Sequence, residues 1–513
     1  MFRTVLSIAL VLTACAGETD TGPEVDQLPQ AEIELRDLFE NTGISLAGMV
    51  VDPTGMPIAG ARVAVDDRET TTDEAGTFRL DDLARHNDLV EVDADAYRPH
   101  LVPAWLFRAV EVEEVLLQPM VLTPEDPSTV RFLFGGDVAF GRRYLDTDES
   151  TPWDQLPPDD PEALIQVSDP EPGTRDVLAS LRPLFGAADY AVVNLESVVT
   201  LDPDTPHPTK DYVFFSLPGS VEALDWVGVD FISLGNNHVY DYLEPGVADT
   251  LAFIEEAGFP HTGMGTDPDE AWTPRRVDLA GTPYAFIAAT SVDGFRHDIG
   301  YVATADQGGA ADLTDNEQLA ATVTAEADAG NVPIALWHTG IEYTYSPSDY
   351  ALGRMQRAVD AGAALVIAHH THVAQGFGRY EGKLLAHSLG NLAFDQQRLE
   401  TMLGLLVQVD MAGDEVLGAQ AVPLVIEQYR TNLATGALSD GLLRRVAEFS
   451  QGLLVYPEND RAEVLAPSEP VDRVVEIAVE VPDSGVAVVD LRDLAVLGES
   501  LHAASGPALA RPG

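Results

Sequence analysis

Histidines collect at the ends of apolar runs in this 513-residue chain. The stretch 365–395, LVIAHHTHVAQGFGRYEGKLLAHSLGNLAFD, sets His369, His370 and His372 directly behind a run that reads as a buried strand. A second run, 332–337, ends in His338, Thr339 and Gly340. Three earlier runs end in other polar groups: Gly135-Gly136-Asp137, Asn194-Leu195-Glu196, and Gly235-Asn236-Asn237-His238. Buried strands of α/β proteins emit functional loops at their carboxyl ends, so these groups are expected to share one rim. Mixed carboxylate, amide and imidazole donors suit hydrolytic divalent metals. On that reading Asp137, Glu196, Asn237, His338, His370 and His372 are ligands. The hard carboxylates Asp137 and Glu196 can bridge two cations, while the amide and the neutral imidazoles end the set without overcompensating charge. Two cations about 3.5–4 Å apart acidify a bridging water and clamp an oxyanion. His238, next to Asn237, is placed to act as a general acid. His369 fits the spacing less well and reads as a neighbour; Asn391 and Asp395 read as holding a turn beside the site. His86, His100, His207, His261, His297 and His502 have no motif around them. Gly135-Gly136 is followed by neither the nucleotide fingerprint nor a Lys-Ser/Thr ending.

The elements that must position these groups alternate. Residues 130–134, 190–195 and 231–234 read as strands, and 175–185, 245–256, 316–329 and 350–361 as helices, the grammar of an α/β domain. Residues 276–279 with 284–290, and 377–380 with 384–388, read as hairpins, so the sheets are expected to be mixed. Final strands are expected at 405–411 and 416–425 and a closing helix at 436–452, and 471–481 could pair with 486–491. Ahead of the Pro-containing joint 121–128, residues 42–120 alternate short β-rich runs with Gly and Pro turns, which predicts a small all-β sandwich.

Length suggests about three domains of roughly 150 residues each. Hydrophobic content of 45% is a globular value, so the formal net charge of −55 must lie on surfaces. Such a surface repels nucleic acid and anionic head groups, and no nucleic-acid partner is expected. The single cysteine, Cys15, leaves no intramolecular disulfide and no cysteine zinc site. Residues 1–15, MFRTVLSIALVLTAC, have the length and flanks of a secretory signal. The tripeptide before the cysteine resembles a bacterial lipobox, which implies cleavage at Cys15, a lipid on it, and an exported protein anchored to the cell-envelope membrane. Ala16 in the next position, rather than Asp, would favour outer-membrane sorting in a Gram-negative cell. The acidic, Pro-containing segment 16–41 then reads as a tether.

Six motifs in order, GGDVAFGR (135–142), VVNLES (192–197), LGNNHVYDY (234–242), HTGIEY (338–343), AHHTHVAQ (368–375) and HSLGNLAFD (387–395), resemble the CapA family of bacterial capsule-synthesis proteins. The resemblance implies an α/β fold of the metallo-dependent phosphatase type, a four-layer α/β/β/α sandwich, over residues 129–455, with 456–513 as a C-terminal extension. It implies two divalent ions (Mn, Fe or Zn) on the six ligands above, His238 as the acid, and Arg142, Glu342 and Gln375 at substrate-contacting or supporting positions. Implied partners are an anionic surface polymer such as poly-γ-glutamate and capsule-assembly proteins. The implied activities are hydrolysis of a γ-glutamyl amide, non-catalytic polymer assembly or export, or envelope phosphodiester hydrolysis. The sequence departs from the family at Thr339, Ala368, Thr371, His387 and Leu392, where Trp, Gly, Pro, Tyr and Phe are usual. Ala139 stands where the broader phosphatases place a histidine, which implies one donor fewer at one metal position. Residues 48–63 and 72–78 resemble the carboxypeptidase-regulatory-like β-sandwich family.

Overall fold

The computed structural model describes residues 43–86, 88–106, 112–146 and 163–450, with strand segments 455–458, 461–464, 477–479 and 487–489. The signal segment with Cys15, the acidic tether and His502 lie outside the described residues. The chain divides into two units, 1–467 and 468–513. In the second, Ile477–Val479 pairs antiparallel with Ala487–Val489, inside the two runs expected to pair.

The first part of unit one is all β. Strands Ile44–Val51, Thr77–Leu83, Glu114–Leu116 and Met120–Val121 make one sheet, and Arg62–Val65, Arg68–Thr71, Asp88–Asp93 and His100–Ala104 another. Alternation of side chains along each strand sends Leu46, Val50, Val63, Val65, Leu80, Val90 and Val102 into one shared core.

The rest of the unit is mixed α/β. Its main strands are β1 (Thr129–Val138), β2 (Tyr190–Leu195), β3 (Phe231–Ser233), β4 (Thr282–Thr290), β5 (Val332–His338), β6 (Leu365–His369), β7 (Asn391–Ala393), β8 (Leu403–Ala412) and β9 (Glu415–Glu427). One sheet runs β3-β2-β1-β8-β9, with β7 also on β1; a second holds β4, β5 and β6 side by side and parallel. Phe132, Phe134, Val192 and Phe231 of the first sheet share a core with Tyr284, Phe286, Ile334, Leu336 and Ile367 of the second. The opposite face of the first sheet, with Leu133, Ala191 and Val193, packs against Val221, Leu224, Val247 and Ile254 of α1 (Pro218–Val227) and α2 (Leu243–Glu256). Ala335, Trp337, Val366 and Ala368 of the second pack against Leu319, Val323, Met355 and Ala358 of α3 (Asn316–Asp328) and α4 (Asp349–Asp360).

Two details depart from the sequence expectation. The helix expected over 175–185 is a helix at Pro170–Leu178, a 3-10 turn at Ala179–Leu181 and a short helix at Arg182–Gly186. Pro183 has no N–H to continue the first helix, and it sits instead in the first turn of the last one. The first sheet also continues past residue 455, because Arg461–Val464 pairs with β9 and Val455–Glu458 pairs with Arg461–Val464.

The β-sandwich is joined to β1 by polar groups. Arg98 pairs with Asp189 at 2.6 Å. Arg131, in β1, donates to the Pro99 carbonyl at 2.9 Å and pairs with buried Asp410 of β8 at 2.9 Å.

Candidate metal centre

Strand register brings the motif ends together. β2 sets Asn194 opposite Asp137, and β5 sets His338 between Thr290 of β4 and His369 of β6. Two groups of donor atoms result, Glu196-His338-His370 and Asp137-Glu196-His372, with the atoms of each group within 4.8 Å of one another. Glu196 belongs to both. Its Oε1 lies 3.3 Å from His338 Nε2 and 3.9 Å from His372 Nε2, while Asn237 Oδ1 lies 2.7 Å from His338 Nε2. Asp137 lies 3.4 Å from His372 Nδ1. Asp137, Glu196 and His338 are fully buried and the other ligand candidates nearly so.

Both carboxylate oxygens of Glu196 are buried without a hydrogen-bond partner. A buried carboxylate left so is costly, and a cation between the donors removes the cost. The residues therefore fit divalent metal. The backbone supports that aim: His370 and His372 adopt φ of +94° and +56°, left-handed conformations that a side chain disfavours and that a site retains when it must point two rings inward from one short loop.

Electrostatics divide the group. Burial pushes Asp137 up, but the His372 hydrogen bond and the charges of His369 and His372 hold it well below the usual carboxylate range. Burial and the neighbouring Asp137 push Glu196 up. Burial drives His370 well down and takes His369 to about 4. Burial also opposes a proton on His372, yet Glu196 and Asp137 raise it to about 10.

His238 stands beside the donors with Nε2 3.7 Å from Glu196 Oε1 and Nδ1 2.7 Å from Asp241 Oδ2. Phe214 stacks on its ring at 4.1 Å. Asp241 is fully buried and also accepts from Lys210 Nζ at 2.5 Å and the Phe214 N–H at 2.6 Å. Burial pushes Asp241 up to about 6 against the pull of Lys210.

Residues 131–396 match the model for bacterial capsule synthesis protein PGA_cap. The chain belongs to that family. Residues 45–132 match the carboxypeptidase regulatory-like domain. Among similar proteins, capsule biosynthesis protein CapA of Bacillus anthracis is 27% identical over 299 residues, 57% of this chain and 72% of that one. The PGA biosynthesis protein CapA of Bacillus subtilis is 26% identical over 260 residues, 50% of this chain and 66% of that one. A probable polyglutamine synthesis accessory protein of Mycobacterium tuberculosis is 23% identical over 374 residues, 67% of this chain and 97% of that one.

The other PGA_cap motif residues fall around the donors. Arg142 has a φ of +54° and its Nε lies 3.2 Å from Asp395, which also holds Arg143 at 3.3 Å. Glu342 is exposed on the segment after β5, and its charge reaches His372. Gln375 donates to the Thr344 carbonyl at 2.9 Å and keeps a buried, unpartnered Oε1. His369 lies 3.5 Å from Asp137 but in neither donor group, a neighbour as expected. Asn391 does more than hold a turn, since its Oδ1 lies 2.9 Å from His372 Nδ1 and orients that ring. Ala139 packs with Phe214 and Phe394, so an apolar wall stands where the broader phosphatases place a histidine.

Around the donors, Asn194, Asp241 and Lys210 were given no role by the sequence. Asn194 donates to Asp137 at 2.8 Å and lies 3.3 Å from His338 Nδ1; its place two residues before Glu196 on a buried strand was the available signal. Asp241 follows His238 by three residues, which puts it within reach of the ring. Lys210 gave no local signal, because it meets His238 across 28 residues of chain.

Proposed function

We propose that this protein is a CapA-like factor of surface-polymer biosynthesis or processing, and that its centre hydrolyses a γ-glutamyl amide or a phosphoester of an anionic polymer such as poly-γ-glutamate. The observation that carries the reading is the buried, unpartnered carboxylate of Glu196, shared by two donor groups. Divalent ions (Mn, Fe or Zn), two of them on Asp137, Glu196, Asn237, His338, His370 and His372, would supply Lewis-acid polarisation and an acidified water. Asn194 and Asn391 hold Asp137 and His372 in their orientations. Asp241 takes the Nδ1 proton of His238 and turns Nε2 toward the donors; to act as the acid the ring must carry a second proton at Nε2, a charge that burial and Lys210 oppose. Arg142 neutralises an anionic group of the substrate and Glu342 orients it at the lip of the site. Two facing sheets with helices on their outer faces support a four-layer α/β/β/α arrangement, the one expected of a metallophosphatase-like family. Export, with a lipid on Cys15 anchoring the protein to the cell envelope, completes the proposal.

A second reading, a non-catalytic assembly or export factor working with other capsule proteins, draws on Ala139, whose apolar surroundings leave one side of the centre short of a donor. Elemental analysis of the purified protein, followed by incubation with poly-γ-glutamate and with bis(p-nitrophenyl) phosphate, separates the two. Bound metal with metal-dependent cleavage supports the hydrolase, and the substrate cleaved assigns amide or phosphoester chemistry. Metal without turnover favours assembly, and a protein that takes up no metal sinks the proposed centre.

A further inference from the structure

Two exposed tyrosines flank the candidate centre, and each carries an arginine. On the His238 side the Arg142 guanidinium lies 5.8 Å from the Tyr212 ring centroid and 5.2 Å from that of Phe214, the ring stacked on His238. On the His372 side Arg398 lies 4.7 Å from the Tyr343 ring centroid, and that ring is 6.2 Å from His372. Tyr212 is 65% and Tyr343 41% exposed. Tyr343 is fixed at both ends. Its N–H donates to the carbonyl of Thr371, between the two candidate ligand histidines, and its hydroxyl accepts from Gln396 at 3.3 Å.

Large aromatic rings held in water beside a buried polar site point to a ligand that covers them. The charges say which kind. The chain has 29 Lys and Arg against 84 Asp and Glu, yet Arg142, Arg143 and Arg398 gather at this opening. Asp395 is shared by Arg142 and Arg143, which leaves that pair a net positive charge, while Glu342 beside Tyr343 and Asp211 beside Tyr212 are exposed acidic groups. Guanidinium groups match carboxylate and phosphate in geometry and stack on rings at the same time.

We propose that Tyr212 with Arg142 and Tyr343 with Arg398 are the two jaws of a slot that grips an extended anionic chain across the candidate centre, each guanidinium taking one carboxylate or phosphate. The inference rests on the hydrolase reading only for what happens to the chain once gripped. It adds the aromatic and guanidinium groups that hold the chain on either side of the centre.

The test is fluorescence anisotropy on the purified full chain with three labelled probes: a γ-linked glutamate oligomer, its neutral γ-glutamine counterpart, and a polyphosphate of similar length. The wild type should bind a polyanion, with affinity falling as salt rises, and leave the neutral chain unbound. Arg398→Gln and Tyr343→Ala should each weaken binding about tenfold, the size of one charge-assisted contact, with metal content unchanged. Arg142→Lys, which keeps the charge and loses the fork, should weaken it less. Preference for polyphosphate over the glutamate oligomer, with the same dependence on Arg398, supports the slot and assigns phosphate as its anion. Wild-type affinity in both Arg398→Gln and Tyr343→Ala, equal binding of the neutral chain, or no binding of either polyanion overturns the slot. Metal analysis of the same samples keeps the two readings apart: an apo wild type that still binds polyanion through Arg398 refutes the hydrolase and leaves the slot standing.

Discussion

Glu196 sits where a carboxylate is hardest to keep, surrounded by histidine rings and by Asp137, with neither oxygen in a hydrogen bond of good geometry and His338 Nε2 the near neighbour at 3.3 Å. If it is the shared ligand, His370→Ala should abolish metal loading while the circular dichroism spectrum stays native, and Asp137→Asn should do the same; a His370→Ala protein that keeps its metal would refute the ligand assignment. His387 offers a separate test. Both ring nitrogens are buried without a hydrogen-bond partner, and burial lowers the ring from 6.5 to about 4. The folded state thus favours neutral His387, and stability is lost as pH falls from about 6.5 towards 4, by up to roughly 3 kcal/mol. Urea midpoints for His387→Phe should be less sensitive to pH than wild type over that window; identical profiles would count against this origin. The candidate ligands stood out in the sequence because each closes an apolar run. Lys210, Tyr212 and Arg398 did not, because their meaning is a contact made across loops, and no local pattern records which loops meet.

At the scale of elements, the segment Leu389-Gly390-Asn391 is gripped between two strands that only glycines let approach. A Cβ on Gly136 of β1 would stand 2.0 Å from the Gly390 carbonyl oxygen, and one on Gly404 of β8 2.0 Å from that of Asn391. Backbone cannot yield there as a side chain would, so Gly136→Ala should cost about 3 kcal/mol or more in chemical denaturation. It should also lower metal affinity, because Asn391 orients His372. Gly418→Ala, which meets nothing within 4 Å, is the control and should match wild type. The glycine pair 135–136 looked from sequence like a loop at a strand end. It lies inside β1, where the missing side chains are the reason a neighbour can come so close. Central strands were readable from their apolar runs, as β2 shows by coinciding with 190–195. Edge strands such as Val455–Glu458 were not, since a few residues with one paired side leave little periodicity.

The whole molecule carries a net charge of −55, and repulsion among surface carboxylates works against its compact state. Raising sodium chloride from about 0.05 to 0.5 M shortens the Debye length from roughly 14 to 4 Å and should raise Tm by about 3 °C or more. A Tm that is flat or falls with salt would mean the charges are already spaced or paired well enough to be neutral for folding. In the sequence a change of period at a Pro-containing joint separates the expected β-sandwich from the expected α/β part, but nothing there says what clasps them. Arg131 supplies that clasp, and it shares β1 with Asp137 six residues further on, about 20 Å along the strand. Tension applied through the sandwich therefore enters the α/β part along β1, which is bonded on one side to β2 and on the other to β8. To slide, β1 must break both ladders at once in shear; the sandwich strand Ile44–Val51 is also held on both sides, but its parallel partners Glu114–Leu116 and Met120–Val121 are only short pieces of strand. Under load the spacer should yield first and the centre keep its geometry, so stretching single molecules from the N-terminal side should extend the sandwich before any bound metal is lost.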